Sequence, residues 1–538
     1  MNLTRTRALL LFAVLSIAHT WPLASAPARL SRNDNADTVL NEWAVAWIAH
    51  QAPRDPRHLF DANIFYPERR TLAFSEPLIV PAAMGAPLLW AGASPVLVYN
   101  LLLLAGFTLT GWSGWLLVRR WTGDEPAGVL AGTLLAFNAH TMGRLPHLQA
   151  IHAEFLPLSL LALDALLRST QEREGFSRAS IGLAAAFVLQ ALTSIYLMVF
   201  TSVALLASLA VRPAAWTGPR ARTTLGRLAL AGGLSVAVLL PMLLVYRNVG
   251  VVRPLDEAAY YSATWRAYLI TPARIHAALW SQGVEGGSGS LFPGVVGTIF
   301  TIVAFASGVA WRDDRARMAL AFLAAGVALS FGPALPGYAT MYRWIPLLQA
   351  IRTVSRFGYL ALVAIAILAG FGFASMRRRF DGARWLTAAT LAVLAAAQLD
   401  AWSAPIGYVD ATRPSAAYDR LRREDAAIVA EFPIFSPERA FHNAGYMLNA
   451  TRHWRPLING YSGIIPASYG AHYDAVAAFP DARAIDALRA IGVTHVVVHP
   501  RELADWTDTE TADAVRHTAR LHLIESDGDT DLYVIATR

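Results

Sequence analysis

Long apolar runs broken by short arginine-bearing turns occupy the first three quarters of the chain, and interleaved polar and apolar positions occupy the last quarter. A helix crossing a hydrocarbon core needs roughly 20 apolar residues. Runs near that length begin at Ala8 to Ala18 and recur at 94–118, 125–139, 148–168, 179–195, 196–212, 228–246, 291–311, 316–332, 356–375 and 385–403. This predicts about eleven transmembrane helices. The first run reads as an uncleaved span in preference to a signal peptide, although Leu23-Ala24-Ser25-Ala26 offers small residues for cleavage.

With Arg5 and Arg7 inside, the inner turns carry Arg119 and Arg120, then Arg168, Arg173 and Arg178. They continue with Arg212, Arg220, Arg222 and Arg227, then Arg312, Arg315 and Arg317, then Arg377 to Arg379 with Arg384. Each even-numbered span ends in such a cluster, as the positive-inside rule requires. The prediction is an inner (plasma) membrane protein with a cytoplasmic N-terminus. Outside lie a first loop at 27–93, a turn near 139–147, loops near 247–290 and 333–352, and all residues after 404. The apolar stretch 77–92 fits this scheme as an interfacial or re-entrant helix, because a span there would invert all that follows.

After Ala404, Ile428 to Phe432 and Val493 to Val498 read as buried strands. Ala482 to Ile491 and Thr509 to Arg520 read as amphipathic helices, and Leu521 to Ile524 with Asp531 to Ile535 as a closing strand pair. The expected architecture is an all-α polytopic membrane domain, residues 1–403, followed by a small extracytoplasmic α/β domain, residues 404–538.

Composition agrees: 55% of the 538 residues are hydrophobic and 15% are charged, against about 25% charged in ordinary soluble domains. The net charge of +7 comes from Arg clusters between apolar runs, so it reads as orientation signal and gives no indication of nucleic-acid binding. Cys is absent, which excludes disulfides and thiolate metal sites.

Ionisable side chains avoid the span centres and gather at the predicted outer face: His19, Asp34, Asp37, Glu42, His140, Arg144, His147, His152 and Glu154. Asp34 and Asp37 stand just beyond the first span, where a helical pattern opens with Leu40, Trp43, Ala44 and Trp47 on one face. A carboxylate there either caps that helix, removes a proton from an acceptor hydroxyl, or holds a divalent cation such as Mg or Mn against a phosphate leaving group. Phe441 to Tyr473 is rich in His, Asn, Tyr and Trp, including His453, Asn459 and Tyr461. Such side chains suit sugar rings, and equally suit an ordered docking loop. The glycine-rich loop 283–290 lacks a P-loop Lys and reads as a flexible outer loop.

The run Asp37-Thr-Val-Leu-Asn-Glu-Trp-Ala-Val-Ala-Trp47, with Leu59 to Pro67 and Leu72 to Glu76, resembles a widespread group of bacterial membrane proteins. His147-Leu-Gln149, Arg352 to Gly358 and Tyr446 to Gly463 carry the same resemblance. That group is placed in the GT-C glycosyltransferase superfamily, alongside protein O-mannosyltransferases and lipid A aminoarabinose transferases. The resemblance implies an enzyme that moves a sugar from a polyprenyl-phosphate carrier to a glycan, lipid or protein acceptor, with an essential acid in the first outer loop. Asp37 takes that role first and Asp34 second. Arg144, His147, Arg352 and Arg356 are the cations available for the carrier phosphate, and Glu42, Asp61 and Glu76 the further acids. The partners implied are the lipid-linked sugar and the surrounding membrane lipids.

Two readings of other classes compete. A lipid or polysaccharide transporter requires a polar path through the spans, and a non-catalytic scaffold or glycan receptor requires only the aromatic and polar loop.

Overall fold

The computed structural model describes residues 3–169, 178–250, 253–285, 289–411 and 415–536; Arg173 and residues 286–288 of the glycine-rich loop lie outside them. The chain divides into two compact units. Met1–Pro27 with Asn100–Gly407 form one, and Ala28–Tyr99 with Tyr408–Arg538 form the other. Composition had drawn the boundary at 403 and left the first loop with the membrane region. The contacts instead group that loop with the C-terminal residues, through a backbone ladder described below.

In the first unit helices stand where apolar runs predicted them, among them Arg5–His19, Glu125–Ala136, Arg178–Thr193, Ile195–Ala210, Val295–Ala306, Asp314–Ser330 and Leu386–Asp400. Four helical segments of the described residues, Pro95–Thr122, Leu148–Arg168, Ala221–Val249 and Val354–Arg379, are long and apolar enough to cross a membrane. The run 148–168 is interrupted, because His152 leaves the helical ladder between Leu148–Ile151 and Phe155–Ser169. Its imidazole bonds the Leu102 carbonyl at 2.9 Å and Glu154 at 3.0 Å, and its own carbonyl accepts from Gln190.

Burial separates the centre of this unit from its rim. The apolar window of Val354–Arg379 is 94% buried and that of Ala221–Val249 only 22%. The second helix turns Leu225, Leu234, Val236, Val238, Leu240 and Leu244 outward, the pattern of a helix solvated by lipid. At the centre small residues permit close approach. A methyl group at Gly372 would strike the Phe300 carbonyl and the Ala304 amide, and one at Gly370 would strike Val118.

Three of the arginines read as orientation signals converge on one buried acid. Asp164 accepts from Arg315 Nε at 2.9 Å, Arg212 Nη1 at 3.0 Å and Arg168 Nε at 3.3 Å. Asp124 likewise caps Glu125–Ala136 through the Ala127 amide and holds Arg377 at 2.9 Å.

The second unit is built on a four-stranded sheet. Val429–Phe432 runs parallel to His495–Val498, which pairs antiparallel with Asp531–Ile535, which pairs antiparallel with Leu521–Ser526. The first two strands are buried at every residue, Glu431 and His495 included. Ala482–Ile491 lays Ala484, Ile485 and Leu488 on this sheet.

The first loop adds to the free side of Val429–Phe432. Residues 456–459 bond Val429 (Val429 N to Pro456 O, 2.8 Å; Ile458 N to Val429 O, 3.0 Å), and residues 63–66 bond them in turn (Leu457 N to Asn63 O, 2.8 Å; Tyr66 N to Leu457 O, 2.8 Å; Phe65 N to Asn459 O, 3.1 Å). A second small pairing, Leu30–Ser31 with Val409–Asp410, joins the loop to the C-terminal part again.

From this frame rise Ala36–Gln51 and, packed on it, Ile79–Trp90. The second of these buries Pro81, Ala82, Gly85 and Ala86 and exposes Met84, Leu88 and Trp90. Glu42 lies on Ala36–Gln51 with no exposed surface, accepting from Ser31 Oγ at 2.9 Å beside Asn33. Burial pushes its carboxyl up to about 8, against the smaller opposing effect of Ser31 and Asn33.

Two outcomes follow from this packing. Gly372→Ala should destabilise the membrane unit by roughly 1–3 kcal/mol through overpacking, whereas Gly182→Ala, with nothing near its added methyl, should be neutral or stabilising by up to about 1 kcal/mol; thermal melts of the detergent-solubilised protein distinguish them. Because the folded Glu42 binds its proton more tightly than the unfolded chain does, stability should fall as pH rises from about 4.5 to about 8 and level off above that. Glu42→Gln should flatten this slope in melts recorded from about pH 5 to about pH 9.

Candidate active site

Asp37 is the second residue of Ala36–Gln51, and the capping role open to it is filled by its neighbour. Asn35 stands in extended conformation at the N-cap and its Oδ1 accepts from the Asp37 amide at 2.9 Å. The Asp37 carboxylate is therefore directed elsewhere, and its Oδ1 accepts from the Tyr461 hydroxyl at 2.9 Å. Both side chains are half-buried. The positive end of the helix favours the ionised form of a first-turn acid, and the phenol fixes one of its oxygens.

Tyr461 is itself seated by the ladder. Two residues upstream, Asn459 is fully buried and mimics a neighbouring strand: its Oδ1 accepts from Glu431 N at 2.8 Å and its Nδ2 donates to Glu431 O at 2.9 Å. Asn459 holds the frame and presents no surface to a substrate. His453 is also buried, stacked on Tyr418 at 5.8 Å with Nδ1 accepting from the Arg455 amide. Burial, with Arg455 second, pulls its imidazole down to about 3, so it is neutral at physiological pH.

The other acids of the first loop are engaged separately. Asp34 is exposed and takes both nitrogens of Arg32 at 3.0 and 3.2 Å. Asp61 accepts from the Arg70 amide at 2.9 Å, closing the turn that leads into Thr71–Phe74. Glu76 is half-buried before Pro77. Glu42 is enclosed as described. Among the described residues no group of three or more His, Asp or Glu is placed to hold a metal ion. Asp37 and Asp34 are directed to Tyr461 and Arg32 respectively.

In the membrane unit a different set comes together. Arg144, Arg356 and His147 all act on the buried His140, whose imidazole is held well below its ordinary value by burial first and by these charges next. Arg144 and His147 bracket one turn, with His147 N bonded to Arg144 O at 2.8 Å. Arg356 stacks its guanidinium 4.6 Å from the Tyr196 ring, and its buried Nε has no hydrogen-bond partner. Tyr196 also pins this segment by accepting from the Arg352 and Thr353 amides, both at 3.0 Å. Arg352 diverges from the set: its side chain bonds Glu257 at 2.8 Å and the Tyr261 hydroxyl at 3.0 Å.

Thus three of the four predicted cations share one neighbourhood, and Asp37 and Tyr461 share another. His140 and Tyr196 were not singled out as binding residues. His140 stood in the cluster of outer-face ionisable groups, and nothing in the pattern around Tyr196 marks it.

No protein-family profile matches the chain, and no curated protein matches it. Solved structures do. Arabinofuranosyltransferase AftD from Mycobacteria superposes with a TM-score of 0.60 at 16% identity, over 100% of this chain and 42% of that one. ArnT from Cupriavidus metallidurans, solved with bound undecaprenyl phosphate, gives 0.51 at 13% identity, over 98% of this chain and 97% of that one. The chain thus spans less than half the length of the arabinofuranosyltransferase and matches ArnT nearly end to end. At these identities the likeness is one of architecture: the chain has the fold of the GT-C glycosyltransferases.

Proposed function

We propose that the protein transfers a sugar from a polyprenyl-phosphate carrier to an extracytoplasmic hydroxyl acceptor, with Asp37 as the general base. The observation that carries this is the Asp37 carboxylate, which its helix does not use as a cap and which Tyr461 orients. In the reaction, the acceptor oxygen attacks the anomeric carbon and gives its proton to Asp37. The bond between that carbon and the carrier phosphate breaks, the configuration inverts, and the lipid phosphate leaves with the bonding electrons.

Within the first unit, Arg356, Arg144 and His147 form a cation group suited to a lipid phosphate. Arg356 supports this assignment most directly, since it forms no ion pair among the described residues and its Nε is an unsatisfied donor. Likeness to an architecture solved with undecaprenyl phosphate supports the carrier class. The topology proposed is eleven spans in an inner membrane, N-terminus inside, with the unit containing Asp37 outside, as the distribution of Arg between the apolar runs favours. No nucleotide sugar is required.

Asp37→Asn should lower turnover by about 10²–10⁴-fold while leaving the melting temperature and undecaprenyl-phosphate binding unchanged. Tyr461→Phe, which removes one hydrogen bond to a carboxylate, should lose about 10–100-fold. Arg356→Ala should weaken undecaprenyl-phosphate binding, read as lipid-induced stabilisation, by about tenfold or more. Where turnover is read as restoration of an envelope glycan in a deletion strain, full rescue by Asp37→Asn at normal protein levels would refute the enzyme and leave the scaffold or transporter.

A further inference from the structure

The second unit holds a cavity that the transfer reaction does not use. It lies beyond the C-terminal end of strand Val429–Phe432, has a volume of about 380 Å³, and is lined by Phe435, Ser436, Arg439, Tyr473, Trp506 and Thr507 together with apolar residues of the sheet and of the Ala467–Val476 helix. That volume falls within the roughly 300–1,000 Å³ of small-ligand sites.

Its wall is built rigidly. The backbone that leaves the strand is fixed at three carbonyls within four residues: Phe432 O by the His499 amide at 2.9 Å, Pro433 O by the buried Tyr446 hydroxyl at 3.3 Å, and Phe435 O by the buried Tyr469 hydroxyl at 2.6 Å. Tyr446 is held from behind by stacking on His499 at 4.9 Å, and His499 bonds the fully buried Glu431 at 2.9 Å. A loop needed only to close a sheet would not require two buried phenols and an ionisable pair behind it.

The rim is aromatic and carries one charge. Trp506 is 42% exposed, and it meets Phe435 edge-on at 5.2 Å and His442 at 4.8 Å, so its orientation is set although much of it faces solvent. Arg439 is the only charged lining residue. Its guanidinium lies 5.4 Å from the Trp506 ring centre, and it has no carboxylate partner among the described residues. The site thus offers flat apolar faces, the hydroxyls of Thr507 and Tyr473, that of Ser436 bonded to the Glu438 carboxylate at 2.7 Å, and a guanidinium without an ion pair among the described residues.

We infer that this cavity binds an acidic sugar unit of an extracytoplasmic glycan, the ring lying against Trp506 and the carboxylate on Arg439. A pyranose presents an apolar face and a rim of hydroxyls, and a planar carboxylate matches the guanidinium fork. The site is separate from Asp37 and Tyr461, and its occupancy is read by binding alone, so its failure and failure of the transferase reading are distinguishable.

The full-length protein in detergent is titrated with three probes: hexagalacturonate, maltohexaose and inorganic phosphate. Hexagalacturonate should bind, and Trp506→Ala should weaken it by about tenfold or more, with Trp506→Phe restoring most of the loss. Arg439→Ala should abolish the preference for hexagalacturonate over maltohexaose. Leu523→Ala, at an exposed strand position on the same sheet, should change nothing. The proposal is overturned if none of the probes binds, if Trp506→Ala leaves hexagalacturonate binding intact, if the two hexasaccharides bind equally to the unmodified protein, or if inorganic phosphate alone displaces the glycan. Unchanged melting temperatures for the variants exclude misfolding as the cause of any loss.

Discussion

The backbone ladder that joins residues 63–66 to 456–459, and these to Val429, governs the second unit. Few interactions in the chain link parts so far apart in sequence, and each bond is made by main-chain groups whose burial without a partner would cost about 1–3 kcal/mol. Through it the first loop acquires a fixed relation to the C-terminal sheet. Ala36–Gln51 then rests on that frame, and Asp37 and Tyr461, separated by 424 positions, come within a hydrogen bond of each other. Asn459 is the hinge of the arrangement, since its amide closes the gap between the ladder and Glu431 that a main-chain pair would otherwise fill.

The membrane unit solves a different problem. Its buried acids neutralise cations from their own and other segments: Asp164 gathers Arg168 of its own helix with Arg212 and Arg315, and Asp124 gathers Arg377. These interactions join helix ends without placing a charge at a span centre, where it would be most costly. Among the cations, engagement separates roles that composition treats alike. Arg352 is tied to Glu257, whereas Arg356 is stacked on a phenol and has a donor to spare.

Much of this was legible in the sequence. Uninterrupted apolar runs located the helices because the period of burial is written directly in residue type, and Val429–Phe432 and His495–Val498 read as strands from short segments that are apolar apart from Glu431 and His495. Asp37 and Tyr461 were each marked by chemistry and by resemblance. Their pairing was not visible, because main-chain hydrogen bonds leave no trace in side-chain identity. For that reason too composition did not show the grouping of the first loop with the C-terminal residues. Local competition hid other outcomes: Asn35 and Asp37 are both competent caps, and only the backbone angles select Asn35. Glu42 reads as an available acid until Ser31 and the second small strand pair enclose it.

The lipid-facing helix Ala221–Val249 has a consequence for depth. Arg227 and Arg247 bracket an uncharged stretch of nineteen residues, 228–246, about 28 Å along a helix axis, close to the roughly 30 Å of a bilayer's hydrocarbon. Moving the helix by one turn along the membrane normal would draw one guanidinium into the acyl chains and the opposite apolar end into water. Of these two charges Arg247 is open to the outside, whereas Arg227 is buried against the neighbouring helix, so one end of the stretch is fixed by packing and the other by an exposed guanidinium.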